Sequence, residues 1–214
     1  MSYIPTESEV FARSLLQIKA IRLQPQIPFT WASGWKSPIY CDNRLTLSYP
    51  EIRAFIALNL EKLALSFQEP FSSVAGVATG GIAHGVLLAE RLNLPFAYVR
   101  SAPKSHGTAS QIEGHIPAGA VLVVEDLIST GKSSLEAIQV LRNAGHDVNH
   151  MLALFSYGFD MADQAFSQAD VQVKTISNYA DLIRVAKVDN SIHASDIEGL
   201  QAWRSNPEKW NSNG

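Results

Sequence analysis

Apolar and polar positions alternate between two periods in the middle of the chain. Short apolar runs, typical of strands buried on both faces of a sheet, occur at Val74–Ala78, Phe96–Val99, Val121–Val124, Met151–Phe155 and Val171–Ile176. Between these runs the apolar positions follow a helical period. Ile82, Val86, Ala89 and Leu92 share one such face, and Ala137, Val140, Leu141 and Ala144 share another. This alternation predicts an α/β fold in which a parallel sheet is flanked by helices.

The two ends of the chain have a different pattern. The first part contains two amphipathic helices, marked by Phe11, Leu15 and Ile18 and by Ile52, Phe55, Ile56, Leu60 and Leu63. The aromatic segment 29–45 between them predicts two short antiparallel strands that turn at Ser33 and Gly34. Beyond residue 177 we expect two more helices, with Trp203 and Trp210 packed against the rest. Because no Pro/Gly/Ser-rich linker interrupts the chain, we expect one domain over 1–214, with a small N-terminal hood (about 1–48), a core (about 49–177) and C-terminal helices (about 178–214).

Charge and cysteine content exclude several classes of protein. Among 214 residues, 17 Lys and Arg oppose 20 Asp and Glu, a net charge of −3 that argues against binding nucleic acid or an anionic membrane by bulk charge. The single cysteine, Cys41, cannot form an intrachain disulfide or a multi-cysteine zinc site. No apolar run is long enough to span a membrane, and the N-terminus lacks the pattern of a signal peptide. We therefore expect a cytoplasmic protein.

The strongest chemical signal is the segment 121–134, VLVVEDLISTGKSS. Two acids, Glu125 and Asp126, follow a buried strand, and a small, hydroxyl-rich turn then opens a helix. Backbone N–H groups at a helix start attract phosphate, and ligands of open α/β sheets bind beyond the carboxyl ends of the strands. The carboxylates can accept hydrogen bonds from sugar hydroxyls. The segment therefore predicts a binding site for a ribose 5-phosphate group.

The segment has two other interpretations. Ser133 and Glu136 could form a capping box, which is compatible with phosphate binding but leaves the acidic pair unexplained. The run Gly131-Lys132-Ser133 is similar to the end of a Walker A motif. That motif requires a glycine where Asp126 stands, and an acid there would repel the phosphates, so a P-loop is excluded.

The same segment resembles the PRPP-binding motif of type I phosphoribosyltransferases. Two further segments are similar to the orotate phosphoribosyltransferases of that family: the hood segment 29–44, FTWASGWKSPIYCDNR, and the catalytic loop, RSAPKSHG at 100–107 with QIEG at 111–114. Thr79 and Gly80 would form the pyrophosphate turn. The resemblance implies transfer of a phosphoribosyl group from PRPP to orotate in pyrimidine biosynthesis, with Mg²⁺ held mainly by PRPP and water rather than by protein ligands. It also implies a homodimer in which the 100–114 loop acts on the neighbouring subunit.

The resemblance assigns roles to individual positions. Lys104, His106 and Asp126 would be catalytic, with His106 contacting the pyrophosphate rather than acting as a general base. Orotate would contact Ser129 and Lys36. The residues expected to bind PRPP are Thr79, Gly80, Arg100, Lys104, His106, Glu125, Asp126, Leu127, Ile128, Ser129, Thr130, Gly131, Lys132 and Ser133.

The chain also departs from the pattern of some relatives. Ala32, Gly80 and Ser101 stand where some members have lysines, and Ser156-Tyr157-Gly158 stands where many have an arginine that binds orotate. Two functional alternatives stay open: a phosphoribosyltransferase for another base, and a PRPP-sensing regulator without catalysis. The hood favours orotate over another base, and the catalytic loop, the charge of −3 and the absence of a spare DNA-binding domain argue against a regulator. No nucleic acid or membrane partner is expected.

Overall fold

The computed structural model describes residues 4–102 and 110–210. In chain order the elements are α1 (Glu7–Gln17), β1 (Ile21–Leu23), β2 (Phe29–Thr30), β3 (Lys36–Ser37), β4 (Ile39–Cys41), a 3₁₀ helix (Asn43–Ser48), α2 (Pro50–Leu65), β5 (Phe71–Val77), α3 (Gly80–Leu92), β6 (Phe96–Val99), β7 (Ile112–Glu113), β8 (Ala120–Ile128), α4 (Lys132–Asn143), β9 (Asp147–Ser156), α5 (Asp160–Gln168), β10 (Gln172–Asn178), α6 (Tyr179–Val188), a 3₁₀ helix (Ala194–Asp196) and α7 (Ile197–Ser205).

The central sheet has six strands in the order β10-β9-β8-β5-β6-β7. The first five are parallel, and β7 pairs antiparallel with β6. The predicted α/β architecture is confirmed. From β5 the chain builds the sheet outward on one side through β6, then crosses to β8 and builds it on the other side. The carboxyl ends of β5 and β8 are therefore the switch point at which ligands of such sheets bind.

Strand β8 extends further than its apolar run predicted. The apolar run predicts that the strand ends at Val124, but in the structure the strand ends at Ile128. Pairing with β5 stops at Gly76 and Val124, whereas pairing with β9 continues to Ile128 and Ser156. The prediction that the acids follow the strand is therefore wrong: Glu125 and Asp126 lie inside β8, where β9 still pairs with one edge of the strand and β5 no longer pairs with the other.

The predicted face of α3 is also wrong in part. Val86 is 46% exposed, while the helix buries Gly81, His84, Gly85, Leu88 and Ala89. Small residues decide this orientation because they let the helix backbone approach the sheet. A β-carbon at Gly81 would lie 2.3 Å from the Val124 carbonyl oxygen, and one at Gly85 would lie 2.6 Å from the Phe96 ring.

Helix α4 confirms most of its predicted pattern. Ala137 and Leu141 are buried, and the helix stops at Asn143, followed by Gly145 at φ +89°. Ala144 is exposed, so the last member of the predicted apolar face is wrong. At this position the helix has already ended, and the residue is its C-cap.

The hood contains two small antiparallel sheets, β1–β4 and β2–β3. The second is the predicted hairpin, with Gly34 at φ +87° in its turn. The first pairs Ile21 with Cys41 and was not predicted, nor was the 3₁₀ helix that follows β4.

One cluster of buried side chains includes residues from the hood, the sheet and the C-terminal helices. Trp203 in α7 is fully buried and contacts the rings of Trp31, Tyr157, Phe159 and Tyr179, and Trp210 packs partly buried against the same cluster. Both tryptophans are thus packing residues, as predicted. The division into hood, core and C-terminal helices stays a prediction. Within residues 4–102 and 110–210, helices with the length and apolarity needed to cross a membrane are absent.

Candidate active site

The acidic pair lies at the open edge of β8. Glu125 is 5% exposed, and its carboxylate accepts hydrogen bonds from the Asp126 amide (3.0 Å) and the Ser134 hydroxyl (3.3 Å). Asp126 follows directly in the strand, and its side chain lies close enough to that of Glu125 for a hydrogen bond between the two carboxyl groups. Its carboxylate lies against the backbone of residue 80.

The turn between β5 and α3 closes one side of this site. A β-carbon at Gly80 would lie 2.2–2.4 Å from the carboxyl atoms of Asp126. Only a glycine therefore lets the turn backbone approach the acid this closely. The backbone amides that begin α3 and the Asp126 carboxylate consequently border the same space.

Helix α4 begins beside the acidic pair. Gly131 is its N-cap, at φ +79°, and a β-carbon there would lie 2.8 Å from the Phe166 ring. The helix start makes no side-chain cap hydrogen bond, so the capping-box interpretation of Ser133 and Glu136 is wrong. The first amides of α4 are therefore not satisfied by a cap, which leaves them available to an anion.

The hood contributes residues that the sequence analysis missed. Asn43 is buried, and its amide donates a hydrogen bond of 2.6 Å to the Asp126 carbonyl oxygen. Asp42 accepts two hydrogen bonds from the Arg44 guanidinium, at 2.7 and 2.9 Å. Their signal in the sequence was only the polar run Asp42-Asn43-Arg44, because the contact between Asn43 and Asp126 joins positions far apart in the chain.

These elements enclose a cleft of about 380 Å³. It combines acids, hydroxyls and bare backbone, a set suited to a polar sugar ligand. Its lining residues are Cys41, Asp42, Arg44, Ala78, Thr79, Gly80, Glu125, Asp126, Leu127 and Ser133. Six of these residues are positions that the sequence analysis assigned to PRPP binding: Thr79, Gly80, Glu125, Asp126, Leu127 and Ser133.

Burial dominates the electrostatics of the acidic pair. It raises the pKa of Glu125 well above the usual value, and the neighbouring Asp126 carboxylate raises it further. Burial also raises the pKa of Asp126, while the hydrogen bond with Glu125 and the Arg44 charge partly offset the effect. Ligand hydroxyls that donate to these carboxylates would restore the lost hydrogen bonds, so the cleft favours such a ligand.

The base of the predicted catalytic loop is well defined. The Arg100 amide donates to the Gln111 carbonyl oxygen (2.9 Å), and the Gln111 side chain donates to the Arg100 carbonyl oxygen (3.0 Å). The Arg100 guanidinium lies 3.6 Å from Glu113. A separate cavity of about 40 Å³ connects Arg100 with Ser133 and Glu136. Lys104 and His106 lie outside the described residues.

The remaining predicted positions surround the cleft or lie away from it. The chain from the end of β8 to the start of α4 contains the predicted positions Ile128, Ser129, Thr130 and Lys132. The Lys132 side chain is 82% exposed, and its ammonium lies 3.9 Å from the Glu136 carboxylate. The Lys36 ammonium instead donates to the Thr30 hydroxyl at 2.7 Å and is not among the residues that line the cleft. Its contact with orotate stays a prediction.

Comparison of the chain with known proteins shows which family it belongs to. Residues 48–183 match the phosphoribosyl transferase domain, so the chain is a phosphoribosyltransferase by family. Over 202 residues it is 52% identical to an orotate phosphoribosyltransferase of Bacteroides fragilis, covering 94% of this chain and 95% of that protein. The chain belongs to the orotate phosphoribosyltransferase family, which confirms the resemblance found in the sequence.

Solved structures agree with this assignment. The orotate phosphoribosyltransferase of Aeropyrum pernix superposes with a TM-score of 0.72 at 33% identity, over 86% of this chain and 99% of that one. The Mycobacterium tuberculosis orotate phosphoribosyltransferase in complex with PRPP shares the fold, with a TM-score of 0.64 at 21% identity over 83% of this chain and 99% of that one.

Proposed function

We propose that this chain transfers the 5-phosphoribosyl group of PRPP to orotate, yielding orotidine 5′-phosphate and pyrophosphate in pyrimidine biosynthesis. The observation that carries the proposal is the cleft in which the acidic pair, the turn at residue 80 and the start of α4 meet at the switch point of the sheet. Membership of the orotate phosphoribosyltransferase family supports the choice of base.

PRPP would lie across this cleft with its ribose on the acids. Glu125 and Asp126 would accept hydrogen bonds from the ribose hydroxyls. The bend over residues 127–133 would bind the 5′-phosphate through the backbone amides at the start of α4. The Mycobacterium tuberculosis relative with PRPP bound has the same fold, which supports this role for the cleft.

Pyrophosphate would lie on the opposite side of the ribose, at the turn formed by Thr79 and Gly80. Arg100, Lys104 and His106 would add positive charge and hydrogen-bond donors as the leaving group forms. Because Gly80 has no side chain, its backbone N–H can approach an oxyanion closely. These contacts act where negative charge accumulates during bond breaking.

Magnesium fits the chemistry of this site but needs few protein ligands. Carboxylate and hydroxyl oxygens are the donors that Mg²⁺ prefers, and Asp126 and Ser133 offer them at the cleft. Among residues 4–102 and 110–210, no group of three His, Cys, Asp or Glu side chains is arranged to hold a metal. We infer, as the family resemblance implies, that PRPP and water would supply most ligands. When bound, the ion would neutralise charge on the diphosphate.

The reaction replaces one bond at the anomeric carbon by another. A ring nitrogen of orotate forms a bond to the anomeric carbon and gives up its proton to water, and the bond to the pyrophosphate oxygen breaks with its electron pair going to the pyrophosphate. The ribose ring becomes electron-poor as the old bond breaks, and the negative charges of the Glu125 and Asp126 carboxylates stabilise the positive charge that develops on it. A million-fold acceleration requires about 8 kcal/mol of differential stabilisation, more than a single contact supplies. Orotate itself would contact Ser129 and Lys36.

We also propose a cytoplasmic homodimer in which the 100–114 loop serves the neighbouring subunit. Two hydrogen bonds between Arg100 and Gln111, one from the Arg100 amide and one from the Gln111 side chain, support a loop with a fixed base.

Orotate absorbance tests the proposed activity directly. Absorbance should fall when the protein, PRPP and Mg²⁺ are combined, and should stay constant when any of the three is omitted. Adenine, hypoxanthine and uracil in excess should not slow the reaction. Strong competition by one of them would indicate another base, and heat of PRPP binding without turnover would indicate a regulator.

A further inference from the structure

The cleft contains more acidic than basic side chains. Among the described residues that line it, Asp42, Glu125 and Asp126 carry carboxyl groups, whereas Arg44 alone carries a cation. PRPP bears a phosphate and a diphosphate, so a cleft that binds it needs positive charge to offset the repulsion from these acids. The position of Arg44 therefore decides which part of the ligand that charge can reach.

Arg44 lies in the first turn of the 3₁₀ helix Asn43–Ser48, which follows β4. This helix contacts both β8 and α3. The preceding residue, Asn43, donates a hydrogen bond of 2.6 Å to the Asp126 carbonyl oxygen, which fixes the backbone next to Arg44 beside the acidic pair. Arg44 and the turn that begins α3 consequently line the same cleft from adjacent elements.

The Arg44 guanidinium is held in place but is not enclosed. Its Nε and Nη2 donate to the two carboxylate oxygens of Asp42, at 2.7 and 2.9 Å, which leaves Nη1 outside the pair. The Arg44 side chain is 61% exposed, so a ligand in the cleft can reach it. Burial raises the pKa of Asp126, and the Arg44 charge partly offsets this rise, so the charge already acts on the cleft. Guanidinium groups are well suited to phosphate oxygens.

The turn at residue 80 has no room for a charged side chain of its own. A β-carbon there would lie 2.2–2.4 Å from the carboxyl atoms of Asp126. The turn therefore offers an incoming anion its backbone amides and the Thr79 hydroxyl. A diphosphate at this turn depends on another element for a cation, and Arg44 is the cationic side chain that the hood places in the same cleft.

We propose that Arg44 is a cation built into the cleft that binds the diphosphate of PRPP, together with the amides at the start of α3. The inference rests on the proposed function and adds a residue that the sequence analysis did not assign to PRPP. Lys104 and His106 of the loop are expected to act as the bond breaks. Arg44 belongs to the cleft itself, so it would hold the diphosphate both before and after that step.

The variant Arg44→Gln tests this role, because glutamine removes the charge and keeps a polar side chain. Calorimetry in the presence of Mg²⁺, with inorganic pyrophosphate and with ribose 5-phosphate as probes, separates the two ends of PRPP. We expect pyrophosphate to bind about tenfold more weakly, as for the loss of a hydrogen bond from a charged donor. Ribose 5-phosphate should bind within about twofold of its affinity for the unmodified protein.

Steady-state kinetics of the same variant should show a matching pattern. KM for PRPP should rise about tenfold, while kcat and KM for orotate stay within about twofold, because a contact made equally before and during the reaction affects binding alone. A purely structural role for Arg44 would not separate the two substrates in this way.

Arg13→Gln is the matched control. Arg13 on α1 donates to both carboxylate oxygens of Asp189 through the same two nitrogens, also at 2.7 and 2.9 Å, and it is not among the residues that line the cleft. Each variant loses one positive charge and one ion pair of the same geometry. Because such pairs contribute little to stability near the surface, both variants should melt close to the unmodified protein. Only Arg44→Gln should bind pyrophosphate more weakly.

An unchanged affinity for pyrophosphate in Arg44→Gln would overturn the inference. An equal loss of affinity for pyrophosphate and ribose 5-phosphate would overturn it too, since it would indicate a general effect on the cleft, and so would an equal loss in Arg13→Gln, which would indicate an effect of net charge. If the unmodified protein itself does not convert orotate, the proposed function fails instead, so the two failures are distinguishable.

Discussion

The backbone at Gly80 and the carboxylate of Asp126 lie so close together that a β-carbon at residue 80 would come within 2.2 Å of the Asp126 Cγ. The contact joins the turn after β5 to the open edge of β8, across the switch point of the sheet. It therefore fixes the distance between the proposed ribose site and the proposed pyrophosphate site.

Gly80→Ala is expected to weaken PRPP use by displacing the Asp126 carboxylate. The side chain of Asp126 can rotate, so the fold should survive, but a carboxylate that holds a ribose hydroxyl would be misplaced. Losing such a charge-assisted hydrogen bond costs about 1.5–3 kcal/mol, or roughly 10–100-fold in KM for PRPP. Steady-state kinetics at saturating orotate measures the change.

Gly199→Ala is the control for this variant. Gly199 lies in α7, where a β-carbon would have no neighbour within 4 Å. The change should stabilise the helix by up to about 1 kcal/mol and leave KM for PRPP unaltered. Equal KM values for PRPP in the two variants would contradict the role given to the contact between residue 80 and Asp126.

Sequence patterns predicted the parts of this site that are local in the chain. The acidic pair, the bend into α4 and the hairpin at Gly34 each depend on neighbouring residues, so composition and period were sufficient. The extent of β8 could not be predicted, because pairing with β9 holds the polar end of the strand in the sheet. Asn43 was missed for a similar reason: its role depends on meeting Asp126, which only the tertiary fold brings about.

Glu125→Gln should raise stability at neutral pH while lowering activity. The pKa of Glu125 is raised in the folded state, so protonation favours folding. The associated stability is fully present below the ordinary value of 4.5 and is lost as the pH rises through the raised value. A neutral glutamine avoids this loss, so the variant should melt higher at pH 7 by a few degrees, at roughly 2–4 °C per kcal/mol. Near pH 4 the difference should disappear.

Thermal unfolding from pH 4 to pH 8 measures this effect, with Glu90→Gln as the control. Glu90 is exposed on α3, and its replacement should leave the melting curve nearly unchanged at every pH. A Glu125→Gln protein that melts lower than the unmodified protein at pH 7 would show that the buried charge is stabilised, contrary to this account.

Asn43→Ala should affect both stability and PRPP binding, whereas Asn59→Ala should affect stability alone. Both amides are buried and donate to a backbone oxygen, Asn43 to Asp126 at 2.6 Å and Asn59 to Phe55 at 2.9 Å. Removing either donor should cost about 1–3 kcal/mol of unfolding free energy. Only the Asn43 contact positions an acid of the cleft, so calorimetry should detect weaker PRPP binding in that variant only. Equal PRPP affinities would make Asn43 a purely structural residue.

Lys104→Ala should lower kcat by orders of magnitude with a smaller effect on PRPP affinity, because the lysine is expected to act on the pyrophosphate as charge develops. Lys187→Ala, a change at an exposed position of α6, should leave kcat unchanged.

Asp126→Asn should chiefly impair the use of PRPP, in the subunit that carries the altered cleft.

Mixing the Lys104→Ala and Asp126→Asn proteins tests whether the loop serves the neighbouring subunit. In a mixed dimer of that kind, one site combines an intact cleft from the first protein with an intact loop from the second, and activity should reappear after subunit exchange. A loop that serves its own subunit leaves each site with one defect, so the mixture would stay inactive. Since each parent protein alone is expected to be nearly inactive, even partial recovery is measurable, and its absence despite demonstrated exchange would refute the shared site.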